Sequence, residues 1–116
     1  MKYNKLVRDK IAEDIAKTGK TISYRVLTDE EYKTALEEKL DEEVIEFHES
    51  KSIEELADII EVLNATIMAN GYNRFKVFIA RIKKKLSKGG FNKRVYLENV
   101  KEDDGIVVFT SDEETF

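Results

Sequence analysis

The chain has 116 residues, 38% of them charged, with 24 acids against 20 lysines and arginines for a net charge of −4. That length suits one domain with a real core, and the acidic balance argues against a non-specific nucleic-acid binder. Cysteine is absent, which removes disulfides, thiolate zinc sites and a cysteine nucleophile.

Proline is absent too, which suits a chain dominated by helices. The N-terminal run MKYNKLVRDK has no apolar h-region, and no stretch approaches the roughly 18 apolar residues of a membrane span. The expectation is a cytoplasmic protein without a membrane or nucleic-acid partner.

Val7, Ile11 and Ile15 recur every four residues, with Ala12 and Ala16 beside them and Gly19 behind, so residues 5–17 read as a first helix. Arg8, Asp9 and Lys10 fall on its other faces, where their plain reading is a solvated surface. Thr21 to Leu27 alternates, with Ile22, Tyr24 and Val26 on one side, and reads as a short half-buried strand. Thr28-Asp-Glu-Glu31 is a capping box that opens a long helix to about Glu49. Its apolar stripe is Leu36, Leu40, Val44 and Phe47, with Glu42 and Glu46 on the flank and Glu43 at the edge. His48 is the only histidine and reads as a surface residue or a partner of the helix C-terminus.

A third helix covers about Ile53 to Ala69 and ends at Asn70-Gly71. Leu56, Ile59, Ile60, Leu63 and Ile67 form a wide apolar arc, which Val62 extends towards Glu55 and Asp58. Asn73 can cap a further helix over residues 74–87, apolar at Phe75, Phe78, Ile79, Ile82 and Leu86 and basic on its other face. Gly89-Gly90 breaks it. Phe91 to Leu97 and Ile106 to Phe109 flank a turn ending in Asp104-Gly105 and read as a hairpin, open to pairing with the 21–27 strand. The acidic tail from Ser111 to Phe116 reads as frayed. The predicted architecture is mainly α, a four-helix core with a small appended β-hairpin or sheet, in one domain over residues 1–116.

The chemistry lies in five acids. On the long helix Glu42 and Glu46 are four apart and Glu43 and Glu46 three apart; Glu55 and Asp58 repeat the spacing after a tight reversal. Two antiparallel helices bring all five together. Such a cluster repels itself unless it gains protons, basic partners or a cation, and hard divalent ions such as Mg²⁺ suit a carboxylate nest. The plain readings are that Glu55 completes a capping box with Ser52, and that Glu42, Glu43 and Glu46 are solvated. Lys83, Lys84, Lys85, Lys88, Lys93 and Arg94 surround the two glycines, and a metal nest with a basic segment is what a polyphosphate requires. The plain reading there is a solvated helix end. Neither a Walker A loop nor a dinucleotide fingerprint is present.

Together these residues resemble the all-α nucleoside triphosphate pyrophosphohydrolases, the MazG-like superfamily. The superfamily pattern Glu-Glu-x-x-Glu followed by Glu-x-x-Asp is matched by Glu42-Glu43-Val-Ile-Glu46 and Glu55-Leu-Ala-Asp58. Lys5-Leu-Val-Arg-Asp-Lys-Ile11, Glu55 to Leu63 and Gly89-Gly-Phe-Asn-Lys-Arg94 are similar to a small phosphoribosyl-ATP pyrophosphohydrolase-like branch, over about residues 3 to 98. Ala12 stands where that branch usually has proline, and the gap between Glu46 and Glu55 is shorter than in larger members. The resemblance implies cleavage of a nucleoside triphosphate between its α- and β-phosphates, giving the monophosphate and pyrophosphate, with Mg²⁺ or Mn²⁺. It implies that Glu43, Glu46, Glu55 and Asp58 hold the metal and that Glu42 joins a second ion or deprotonates the attacking water. Arg8, Lys10, Lys93 and Arg94 match recurring basic positions, with phosphate contact the role expected of them. It also implies a homodimer or higher homo-oligomer. The competing readings are phosphoribosyl-ATP hydrolysis in histidine biosynthesis and a non-catalytic helical metal-binding adaptor.

Overall fold

The computed structural model describes residues 4–101, which are mainly helical: α1 (Ile11–Ala16), α2 (Asp29–Ser50), α3 (Ile53–Ala69) and α4 (Arg74–Lys88). The helix expected over residues 5–17 is cut to its second half. Asn4, a residue type that caps well, stands ahead of Leu6 but sits at φ 44 rather than in the extended backbone that an N-cap takes. α1 instead begins after Lys10, with the Ile11 N–H on the Arg8 carbonyl at 3.0 Å.

The start of α2 follows the capping rule closely. The Thr28 hydroxyl accepts the Glu31 N–H at 3.3 Å, and the Glu31 carboxylate accepts the Thr28 N–H at 3.0 Å. Arg25 adds a two-pronged contact to the same carboxylate at 3.0 and 3.1 Å. These donors, Arg25 foremost, hold Glu31 down to about 2. A depressed carboxyl stabilises the fold above its unfolded value, about 4.3 for glutamate, and the effect fades as pH falls through about 2. The melting-temperature difference between wild type and Glu31→Gln should therefore shrink steadily from pH 5 to pH 2, followed by circular dichroism. A constant difference would mean that the box contributes nothing through its charge.

Lys51 turns the chain with φ 56 and Ser52 returns it to extended backbone, so α3 folds back on α2. These are the two helices that pack on each other among the described residues. Their seam buries Leu36 and Val62, and with them Glu43, only 4% exposed. Much of the α3 arc faces away from α2: Leu56, Ile60 and Leu63 remain 45%, 59% and 43% exposed. α3 closes through Asn70 and Gly71, the latter at φ 74 where glycine carries no Cβ penalty. The Asn73 side-chain oxygen accepts the Phe75 and Lys76 N–H groups at 2.8 and 3.2 Å, as expected of an N-cap. The chain divides into two compact units within α4, after Val77.

The appended hairpin is not seen. Among the described residues no strand forms; 106–109 and the Asp-Gly turn lie outside them. Alternation gives a segment a face, but a strand exists only with a backbone partner, and an isolated hairpin is marginal in water. The 21–27 run has none, and Tyr24 and Val26 stay exposed. In the 91–97 run, Arg94 at φ 59 turns the chain and donates its N–H to the Phe91 carbonyl at 3.1 Å. No helix among the described residues is long and apolar enough to cross a membrane.

Candidate metal centre

The hairpin of α2 and α3 brings the five acids into one cluster. Carboxylate oxygens of Glu42, Glu43 and Glu46 lie within 4.8 Å of one another, as do those of Glu43, Glu55 and Asp58. Glu43 belongs to both groups. The reversal at residues 51 and 52 sets this meeting, because it leaves the start of α3 opposite the second half of α2.

Three cations press on the cluster. The Arg8 guanidinium donates to Asp58 at 2.7 Å, and Lys5 reaches Glu42 at 3.2 Å. Lys39, one turn before the acids, is 3.1 Å from Glu43 and 3.5 Å from Glu42. Among the described residues, five carboxylates thus face three positive groups through these contacts, an excess of acid that a divalent cation would offset.

The claim of Ser52 on Glu55 is resolved by a neighbour. The Ser52 hydroxyl accepts the Glu55 N–H at 3.2 Å, as a cap should. Its own N–H, however, donates to the Ser50 hydroxyl at 3.2 Å rather than to the Glu55 carboxylate. Half of the expected box is therefore present, and the Glu55 side chain belongs to the cluster. There Glu43 Oε2 and Glu55 Oε2 are buried without a hydrogen-bond partner, an arrangement that costs free energy unless something fills the gap. Burial first, then the neighbouring Glu43 carboxylate and the charge of Glu46, pushes the Glu55 carboxyl up to about 7. Burial and Glu43 raise Glu46 in the same direction. Buried orphaned oxygens, surplus negative charge and an all-oxygen donor set fit a hard divalent cation.

The expected phosphate-contacting residues fare differently. Arg8 is held at the cluster. Lys10 is exposed at the start of α1 and makes no side-chain hydrogen bond or ion pair among the described residues. Lys93 and Arg94 belong to the second unit, beyond Gly89, with Arg94 in the turn already described. His48 is exposed in the last turn of α2.

Lys5 and Lys39 were absent from the sequence-derived site. For Lys39 the signal was there: a lysine three residues before Glu42 and four before Glu43 is an ordinary helical ion-pair spacing. For Lys5 there was none, because its reach depends on residues 5–10 leaving the helix.

No protein-family model matches the chain, and no solved structure matches it. A 41-residue stretch, 35% of the chain, is 56% identical to an uncharacterized protein of Mycolicibacterium smegmatis. The chain covers 42% of that relative's length.

Proposed function

We propose that the chain is a Mg²⁺-dependent nucleoside triphosphate pyrophosphohydrolase of the MazG-like superfamily, cleaving the bond between the α- and β-phosphates. The observation that carries this reading is the convergence of five carboxylates on Glu43, with two of their oxygens buried and unpartnered. Glu43, Glu46, Glu55 and Asp58 would hold the ion, and Mn²⁺ suits the same oxygens. Bound there, it would neutralise phosphate oxygens and acidify water.

The protein's own groups do the rest. Glu42 is oriented by Lys5 and Lys39 and takes the proton of the attacking water as its oxygen bonds to phosphorus. The bridging P–O bond breaks, and pyrophosphate and the nucleoside monophosphate leave. Arg8, bonded to Asp58, stands at the acids with a planar donor fork that suits a phosphate. Lys10 adds a further phosphate contact. The exposed arc of Leu56, Ile60 and Leu63 receives a second copy of the chain, completing a four-helix core. The work is housekeeping, in the cytoplasm: removal of surplus or non-standard nucleotides.

The test is pyrophosphate release across the standard and several damaged nucleoside triphosphates, in Mg²⁺ and in EDTA. Release from one or a few substrates in Mg²⁺ alone is the expected result. Silence across the panel, from folded protein that binds Mg²⁺, overturns the proposal.

A further inference from the structure

Beside the acid cluster, the first half of α2 and the second half of α3 enclose a groove of about 540 Å³. We infer that this groove is a nucleobase subsite, built by Tyr32, Asn64 and the small floor residue Ala65, and that it selects bases carrying an exocyclic amino group. The inference rests on the proposed nucleotide chemistry and names the part of the substrate that the acids leave unbound.

Three observations carry it. The first is size and make-up. The volume falls within the roughly 300–1,000 Å³ of small-molecule sites, which combine apolar walls with a few convergent polar groups. Tyr32 supplies a ring, Ala65 an open floor, Asn64 an amide, and Asp29, Glu61 and Arg74 charges.

The second is continuity with the acids. Glu61 and Ala65 follow Asp58 at three and seven residues, so they continue its face of α3. Tyr32 and Glu43 lie eleven apart on α2, three helical turns along one stripe. Arg8, bonded to Asp58, also feels the charge of Glu61, so its guanidinium stands where cluster and groove meet. Ala65 lies about 10.5 Å along α3 from Asp58 on the same face, seven residues at about 1.5 Å each, a span that suits a nucleotide with its phosphates at the acids and its base in the groove.

The third is the polarity of the lining. Two of its three charged groups, Asp29 and Glu61, are carboxylates that only accept hydrogen bonds, Arg74 only donates, and Asn64 does both. Adenine, cytosine and guanine offer exocyclic N–H donors to such acceptors. Uracil and thymine offer a single ring N–H and two carbonyl oxygens, which suit Arg74 but leave the two carboxylates competing for one donor.

The experiment measures kcat and KM for ATP, CTP, GTP, UTP and dTTP in wild type, Ala65→Leu and Asn64→Ala. Calorimetric binding of AMP and UMP in EDTA and Mg²⁺-induced thermal shifts are run alongside. The wild type should favour amino-bearing bases by about tenfold or more in kcat/KM. Ala65→Leu should raise KM for them about tenfold, in line with the effect of one misplaced apolar group in a binding pocket. Asn64→Ala should flatten the preference, and both variants should keep the Mg²⁺ shift. Active enzyme whose KM values ignore both substitutions, or which prefers UTP or dTTP, overturns the subsite and leaves the proposed reaction standing. Should no triphosphate be cleaved, the monophosphates decide. AMP binding stronger than UMP binding and lost in Ala65→Leu upholds the groove without the reaction; no difference between them overturns it.

Discussion

Glu46→Gln should release pyrophosphate at about one-hundredth of the wild-type rate or less, from every substrate the wild type accepts. The change keeps the shape of the side chain and removes its charge. Glu46 sits beside Glu43 on α2, half-buried, and both the surroundings and Glu43 already resist its ionisation. A bound cation makes its negative charge favourable there. Groups that merely orient a metal ligand typically cost about 10–100-fold in affinity or activity when changed, so a ligand itself should cost at least the upper end of that range. The decisive comparison is a pyrophosphate assay of both proteins at matched circular dichroism and saturating Mg²⁺. A variant that keeps its fold and turns over at the wild-type rate removes Glu46 from the site. Since helix ends and seam residues are untouched, loss of activity through unfolding is checked directly by the same spectra.

What could be read from the sequence depends on how local each signal is. α2, α3 and α4 were legible because Thr28, Ser52 and Asn73 each cap the helix they precede, and the side-chain bonds concerned span only two or three residues. The acid cluster was legible for a related reason: a reversal of two residues leaves the neighbouring helices no choice but to meet at residues 42–46 and 55–58. The alternating run at 21–27 and the β-rich run at 91–97 failed as strands because pairing is a long-range property that neither pattern contains. Residues 5–10 failed as a helix because Val7, Ile11 and Ile15 report period, not whether a first turn can be capped. The freedom of Glu55 from its capping box was equally hidden, resting on a single bond from Ser52 to Ser50.

Glu55→Gln should melt above wild type at pH 8 in EDTA, and below it once Mg²⁺ is added. The folded carboxyl is pushed up to about 7, whereas in the unfolded chain glutamate titrates near 4.3. Between these values the folded state holds the proton and the unfolded state has released it. Metal-free stability therefore falls as pH rises through the window from about 4 to 7, and stays low above it. Glutamine has no charge to lose, and its amide can donate to the orphaned Glu43 Oε2 beside it. The advantage of the variant should thus be present at pH 8 and vanish near pH 4. Mg²⁺ reverses the order because binding to the folded state alone adds stability by mass action, about 2.7 kcal/mol at a hundred times the dissociation constant. The variant, short of one ligand, gains much less. Thermal melts at pH 4, 6 and 8, each with EDTA and with Mg²⁺, test both halves together. If Glu55→Gln melts below wild type at pH 8 without metal, the carboxylate is satisfied by the protein alone and the cluster is structural. If it melts higher yet responds to Mg²⁺ as wild type does, the acids repel one another as described but the ion binds elsewhere.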